Sequence, residues 1–220
     1  MNSVLERVNT VCKNVRTAIV TPTSFKKLVG ALRREFKEAD IDLILKTKKD
    51  SSLEKSGFYV MAYYDPDDDF NNETPIEVVV HHHFADSDRF QLNQITDFLI
   101  QIFDAVVHEI RHQRQSRKRN HETFSQHIQE PYAAYLADPD ELDAYAFSIA
   151  IEILRVMPKA KAKTYMTRMH ILAKMRIGPL YVSTNLHAYV GHFKNNPLLK
   201  NLAKKIYKHI ESIDRTYIFV

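Results

Sequence analysis

At 220 residues the chain is long enough for one domain, with or without a small appendage, and for a sizeable core. Its four glycines and its many Ala, Leu, Ile, Lys and Glu favour helices over a many-turned β fold. A single cysteine, Cys12, excludes an internal disulfide, and no run approaches the ~20 apolar residues of a membrane span. The net charge of +4 is unevenly spread: from Arg155 onward 13 Lys/Arg meet two acids, Glu211 and Asp214, so that part carries +11 and the rest −7. Such a split suits a basic C-terminal part that contacts nucleic acid or another anionic partner, or basic helices lying over an acidic body.

In chain order, residues 3–20 and 24–38 read as amphipathic helices separated by TPTS, where Thr23 or Ser24 could cap the second. The N-terminal stretch has no apolar core or small-residue cleavage site and does not read as a signal peptide, so a cytoplasmic protein without a membrane partner is expected. IDLILKTK (41–48) reads as a short strand. FYVMAYYD (58–65) and IEVVVHHHF (76–84) read as an antiparallel pair, joined by the acidic loop PDDDFNNETP, which is too long for a tight hairpin. Alternation puts His81 and His83 on one face and His82 on the other, so the first two could take a second metal. The alternative is a polar strand end on the edge of the sheet.

From about Asn93 to Arg119 the period changes to 3.6, with Phe98, Leu99, Ile102, Phe103, Val106 and Ile110 as the apolar stripe. This helix contains His108-Glu109-Ile110-Arg111-His112. Histidines at i and i+4 lie one turn apart on one face, close enough to take two corners of a tetrahedral zinc site. Glu109 beside them can act as general base toward a zinc-bound water that attacks a carbonyl. With 11 histidines in the chain, chance placement would give HExxH about 0.03 times. The bland alternative is an exposed helical face that happens to carry two histidines and a charge.

A second helix starts at Asp138, a good N-cap, with Pro139 at its first position, and runs to about Val156. It is apolar on most of its circumference, as a central helix would be. Basic helices are expected over 159–176 and 196–213, joined by the loop-like IGPLYVSTN. The order of elements predicts an α+β fold, predominantly helical, with a small antiparallel or mixed sheet before the motif helix. Residues 1–220 are read as one domain: helices and sheet over 1–92, metal-binding helices over 93–156, and the basic helical part over 157–220.

A catalytic zinc needs a third protein ligand. The metzincin extension would put a glycine at 115 and a histidine at 118, where this chain has Gln115 and Lys118; His121 has the wrong spacing. The second helix carries Glu141-Leu142-Asp143-Ala144-Tyr145-Ala146. HExxH followed by a helix with ExxA resembles the gluzincin group of zinc peptidases over about 50 residues. That resemblance implies a zincin-like fold, Zn2+ on His108, His112 and Glu141, and hydrolysis of a peptide or protein substrate. It also implies that the small Ala144 lets the second helix come close to the first. Tyr145 departs from the acid or amide usual in the family, so the support of the zinc-binding histidines must be rebuilt, with Asp104 and Asp143 as the available carboxylates. Asp138 and Glu141 also have the spacing of a capping box, and Asp143, Glu130 or Asp140 could be the ligand instead.

The oxyanion of peptide hydrolysis needs a donor. Tyr132, Tyr135, Tyr181, His187 and His192 are candidates, and Tyr181 and His187 are preferred because their segment is the most loop-like. HEIRHQRQ followed by YLADPDELDAYA also resembles uncharacterised metallopeptidase-like proteins of tailed bacteriophages, which would place the protein in host cytoplasm or virion. Two rival readings stand beside the peptidase. One is a nucleic-acid-associated zinc protease, like SprT-type enzymes in its HExxH and its basic tail around Lys204-Lys205. The other is a non-catalytic protein in which zinc locks two helices together.

Overall fold

The computed structural model describes residues 2–69, 71, 73–85, 87–120, 132–174, 182–193 and 196–220, and of 169–174 the backbone alone. The chain divides into two compact units: Ser3–His121 with Met1 and Phe219–Val220, and Glu122–Ile218 with Asn2. The division falls inside the segment 93–156 that carries both candidate motifs.

The first unit contains α1 (Asn2–Ala18), β1 (Thr23–Ser24), α2 (Phe25–Glu38), β2 (Leu43–Lys49), β3 (Phe58–Tyr63), β4 (Ile76–His82), β5 (Arg89–Phe90) and α3 (Leu92–Lys118). Ser24 caps α2, its Oγ accepting the Lys27 amide at 3.4 Å. The main sheet is mixed, in the order β2-β4-β3. β2 runs parallel to β4 from the pair Leu43–Ile76, and β3 runs antiparallel to it from Phe58–His82. The expected antiparallel pair is present. The expected edge position of the histidine strand is not: β4 is the middle strand, because β2 pairs with its other side along all seven residues.

Alternation along β4 sends Ile76, Val78, Val80 and His82 into the core, and α3 packs against β3 and β4. Phe25, Phe58, Phe84, Phe90 and Phe98 form an aromatic cluster with centroid separations of 4.3–6.2 Å, and the buried His82 ring lies 4.2 Å from that of Phe25. His82 Nδ1 accepts the Phe84 amide, and burial holds this imidazole below its ordinary pKa, helped by Lys49 and His83. Removing a fully buried ring such as Phe98 would cost about 3–5 kcal/mol. Cys12 is fully buried on α1, with its sulfur 3.8 Å from the Leu99 carbonyl of α3.

The second unit is helical: α4 (Tyr132–Ala137), α5 (Pro139–Val156), α6 (Lys159–Lys174), α7 (Thr184–Phe193) and α8 (Leu198–Ser212), followed by a 3-10 turn at Arg215–Tyr217. α5 packs against α4, α6, α7 and α8, and ten of its residues are buried, which explains its apolar circumference. α4 and α7 were not expected. The STN read as loop is a helix start, with Ser183 Oγ accepting the Leu186 amide at 2.9 Å. Among the described residues no helix is long and apolar enough to cross a membrane.

Candidate metal centre

α3 places the first two candidate ligands. It starts at Gln91, whose amide donates to Gln94 Oε1 at 2.9 Å, and its apolar stripe is buried through Ile95, Phe98, Leu99, Ile102, Phe103, Val106 and Ile110. On the face beside that stripe, His108 and His112 are half-buried, with Nε2 to Nε2 at 3.1 Å and ring centroids at 4.8 Å. Glu109 and Asp104 are half-buried on the same helix.

The last turns of α3 are strapped to the acidic loop. Arg117 donates through Nε to Asp69 Oδ2 at 2.7 Å and through Nη2 to Oδ1 at 3.1 Å. The Tyr64 hydroxyl and the Thr74 amide complete that carboxylate at 2.7 and 2.8 Å. Gln113, the residue after His112, donates to the Thr74 carbonyl at 3.3 Å. Asp69 is fully buried. Burial alone would raise its pKa, but the Arg117, Tyr64 and Thr74 hydrogen bonds outweigh it and hold the carboxyl at about 2. Burial, opposed by Ser116 and reinforced by Asp69, pushes the Tyr64 phenol up to about 12, so it remains a donor at neutral pH. Composition marks this loop only as acidic, and nothing in it singles out Asp69 among its neighbours.

α5 places the third candidate. Asp138 Oδ1 accepts the amides of Asp140 at 2.8 Å and Glu141 at 3.3 Å, which caps the helix. In a capping box Glu141 would accept the Asp138 amide. That amide instead donates to the carbonyls of Ala134 and Tyr135, both at 3.1 Å, at the end of α4. The half-buried Glu141 carboxylate hydrogen-bonds with the Tyr135 hydroxyl. The Tyr135 phenol is held above its ordinary pKa, first by burial, then by Tyr145 and Glu141. Tyr189, fully buried, donates to the Leu136 carbonyl at 2.9 Å, and its ring meets that of Tyr145 at 5.5 Å and 63°. A tyrosine cluster thus surrounds Tyr145, the position where the gluzincin pattern would have an acid or amide. Ala144 is fully buried. Asp143 is engaged by α8: Lys205 Nζ lies 3.3 Å and His209 Nε2 3.1 Å from its Oδ1.

His108, His112 and Glu141 each offer a ligand atom, and the three atoms lie within 4.8 Å of one another; the group could hold a metal ion. Among the described residues it is the one such group of three or more His, Cys, Asp or Glu. The donor chemistry fits: two imidazole nitrogens and a carboxylate oxygen are a known set for a three-ligand catalytic zinc. Two ligands about 2.1 Å from one tetrahedral ion would stand roughly 3.4 Å apart, close to the histidine separation.

The remaining expected site residues are not members of that group. His187 and His192 are exposed on α7, and the His192 ring meets that of the exposed Tyr132 at 5.0 Å. Tyr181, His121 and Glu130 lie outside the described residues. His83 Nδ1 lies 2.7 Å from the Leu53 carbonyl, and the His81 ring stacks on Tyr59 at 4.5 Å. No protein-family model matches the chain, and no curated protein or solved structure matches it.

Proposed function

We infer that the protein is a zinc-dependent metallopeptidase with Glu109 as general base. The observation that carries this reading is the grouping of His108, His112 and Glu141 ligand atoms within 4.8 Å. Zinc bound there would supply a Lewis acid that polarises a peptide carbonyl and eases deprotonation of water. Glu109, adjacent to His108 on α3, takes the proton of the attacking water and passes it to the leaving amine. Tyr135 places its hydroxyl beside Glu141 and so orients that carboxylate. The arrangement is gluzincin-like in its ligand types and order, with a tyrosine cluster in place of the usual acid or amide after ExxA. A cytoplasmic peptide or protein is the proposed substrate.

The test is hydrolysis of a broad peptide library by wild type and Glu109→Gln, with zinc content measured on the same samples. Glu109→Gln should keep its zinc and thermal stability and lose hydrolysis by a factor of about 10² or more. Equal turnover in the two proteins would remove Glu109 from the mechanism. Zinc-loaded wild type that cleaves nothing would replace the peptidase with a protein that keeps zinc for structure alone.

A further inference from the structure

The basic side chains of α6 and α8 fall into two sets. One set is spent inside the helical unit. Lys205 Nζ lies 3.3 Å from Asp143 Oδ1, Lys163 Nζ lies 2.8 Å from Glu211 Oε1, and Lys159 donates to the Glu211 carbonyl at 3.0 Å. The other set faces water. Lys200, Lys204 and Lys208 recur every four residues, so they form one stripe along α8, and all three are exposed. Lys161 and Arg168 are exposed on α6, seven residues apart and so on one side of that helix. Among the described residues no carboxylate pairs with any of these five. The two acids of this part of the chain are already engaged, Glu211 by Lys163 and Asp214 by the Thr216 amide at 3.0 Å. Basic helices lying over an acidic body therefore describe the first set only; the stripe keeps its charge in solvent.

We propose that the Lys200-Lys204-Lys208 stripe docks on the phosphate backbone of duplex nucleic acid. From Lys200 to Lys208 the helix rises about 12 Å. A duplex carries one charge per ~1.7 Å of its axis, so three ammonium groups meet several phosphates whatever the register. What the face lacks selects this occupant. Among the described residues from 157 to 219 no large hydrophobic side chain is exposed. A helix that lies on a membrane inserts an apolar face, and that of α8, through Leu202, Ile206 and Ile210, is buried in the packing with α5. A protein partner needs an apolar or aromatic centre, and lysine is depleted from such interfaces. A single strand needs rings on which its bases stack; Tyr207, the tyrosine of α8, is half-buried, with Lys163 Nζ 5.6 Å from its ring centroid. A duplex asks for positive charge without apolar contact, because its bases are already stacked and its phosphates lie outside. Lysine is a mobile point charge, so the contact positions the duplex without reading its sequence.

The stripe shares no residue with the metal centre, so its test does not depend on hydrolysis. Fluorescence anisotropy of a labelled DNA duplex of about 20 base pairs is measured with the full chain between about 50 and 200 mM salt. Wild type should bind two duplexes of unrelated sequence equally, and more tightly than either single strand. Lys200→Gln, Lys204→Gln and Lys208→Gln together should weaken binding about tenfold or more and reduce the slope of log K against log salt by about 2–3. Lys26, Lys27 and Lys37 are exposed on α2, and their joint replacement by Gln removes the same charge elsewhere; it should leave binding close to wild type. Circular dichroism of each variant shows that the helices are retained. The proposal is overturned if wild type binds no duplex, or if the α2 variant loses as much affinity as the stripe variant, since net charge would then be the cause. It is equally overturned if a single strand or polyglutamate binds as tightly as the duplex, or if the stripe variant loses binding to phosphatidylserine vesicles but not to the duplex.

Discussion

His112 Nε2 lies 3.1 Å from His108 Nε2, one turn along α3. Without a metal this distance is a hydrogen bond in which one ring donates and the other accepts; with one, both nitrogens turn lone pairs to the same ion. One zinc per chain is therefore expected from elemental analysis, and His108→Ala or His112→Ala should each lose most of it. His81→Ala with His83→Ala should keep it, since Leu53 and Tyr59 already occupy those rings. Zinc retained in His108→Ala and lost only with His81 and His83 would move the site to β4.

Glu141 separates ligation from capping. The Asp138 amide is already donated to Ala134 and Tyr135, so Glu141 has little part to play as a cap. Glu141→Gln should weaken zinc at least about tenfold, as loss of an anionic donor does, with little change in the stability of the metal-free protein. Asp138→Ala should do the reverse, costing about 0.5–2 kcal/mol of stability while zinc stays bound. A titration in which Asp143→Asn alone loses zinc would shift the ligand to Asp143. Its contacts with Lys205 and His209 argue that its loss is felt instead as weaker docking of α8.

Much of this arrangement was legible in the sequence where a local rule acts alone. The 3.6-residue stripe gives α3 to within a residue at each end, Asp138-Pro139 gives the start of α5, and alternation separates His82 from His81 along β4. What failed depends on partners distant in sequence. The central place of β4 follows from its parallel pairing with β2 across a crossover, which the pattern of β4 itself does not encode. α7 hid behind Ser183, because a serine before polar residues reads equally as loop or as cap. For the site, HExxH specifies its own geometry since both histidines share one helix. The tyrosines around Glu141 come from α4, α5 and α7, and no single window contains them.

Tyr135→Phe distinguishes support of Glu141 from direct action on substrate. If the hydroxyl serves to orient Glu141, its removal should weaken zinc binding by about 10-fold, within the range for partners of metal ligands. Turnover at saturating zinc should then be nearly unchanged. Were Tyr135 instead the oxyanion donor, zinc affinity would stay the same and kcat would fall by about 10² or more. A zinc titration followed by kinetics on the loaded enzyme reads the two outcomes apart.

The strap between Asp69 and Arg117 should make stability depend on pH in a defined window. The folded carboxyl is held at about 2 against an ordinary value of 3.8, so the native state favours its charged form. A depressed pKa contributes stability above the unfolded value, and that contribution is lost as pH falls from about 4 toward 2. A shift of this size corresponds to about 2 kcal/mol, and the full burial of Asp69 leaves little solvent to screen it. Asp69→Asn should therefore be about 2 kcal/mol less stable than wild type at pH 7, with a larger loss if the Arg117 charge is left without a partner. The gap should narrow steadily below pH 4, because acid removes from wild type the charge that the variant never had. Urea unfolding of both proteins at pH 7, 5, 4 and 3 measures it. A gap that stays constant across this range would mean that Asp69 acts through shape and neutral hydrogen bonds, not through its charge.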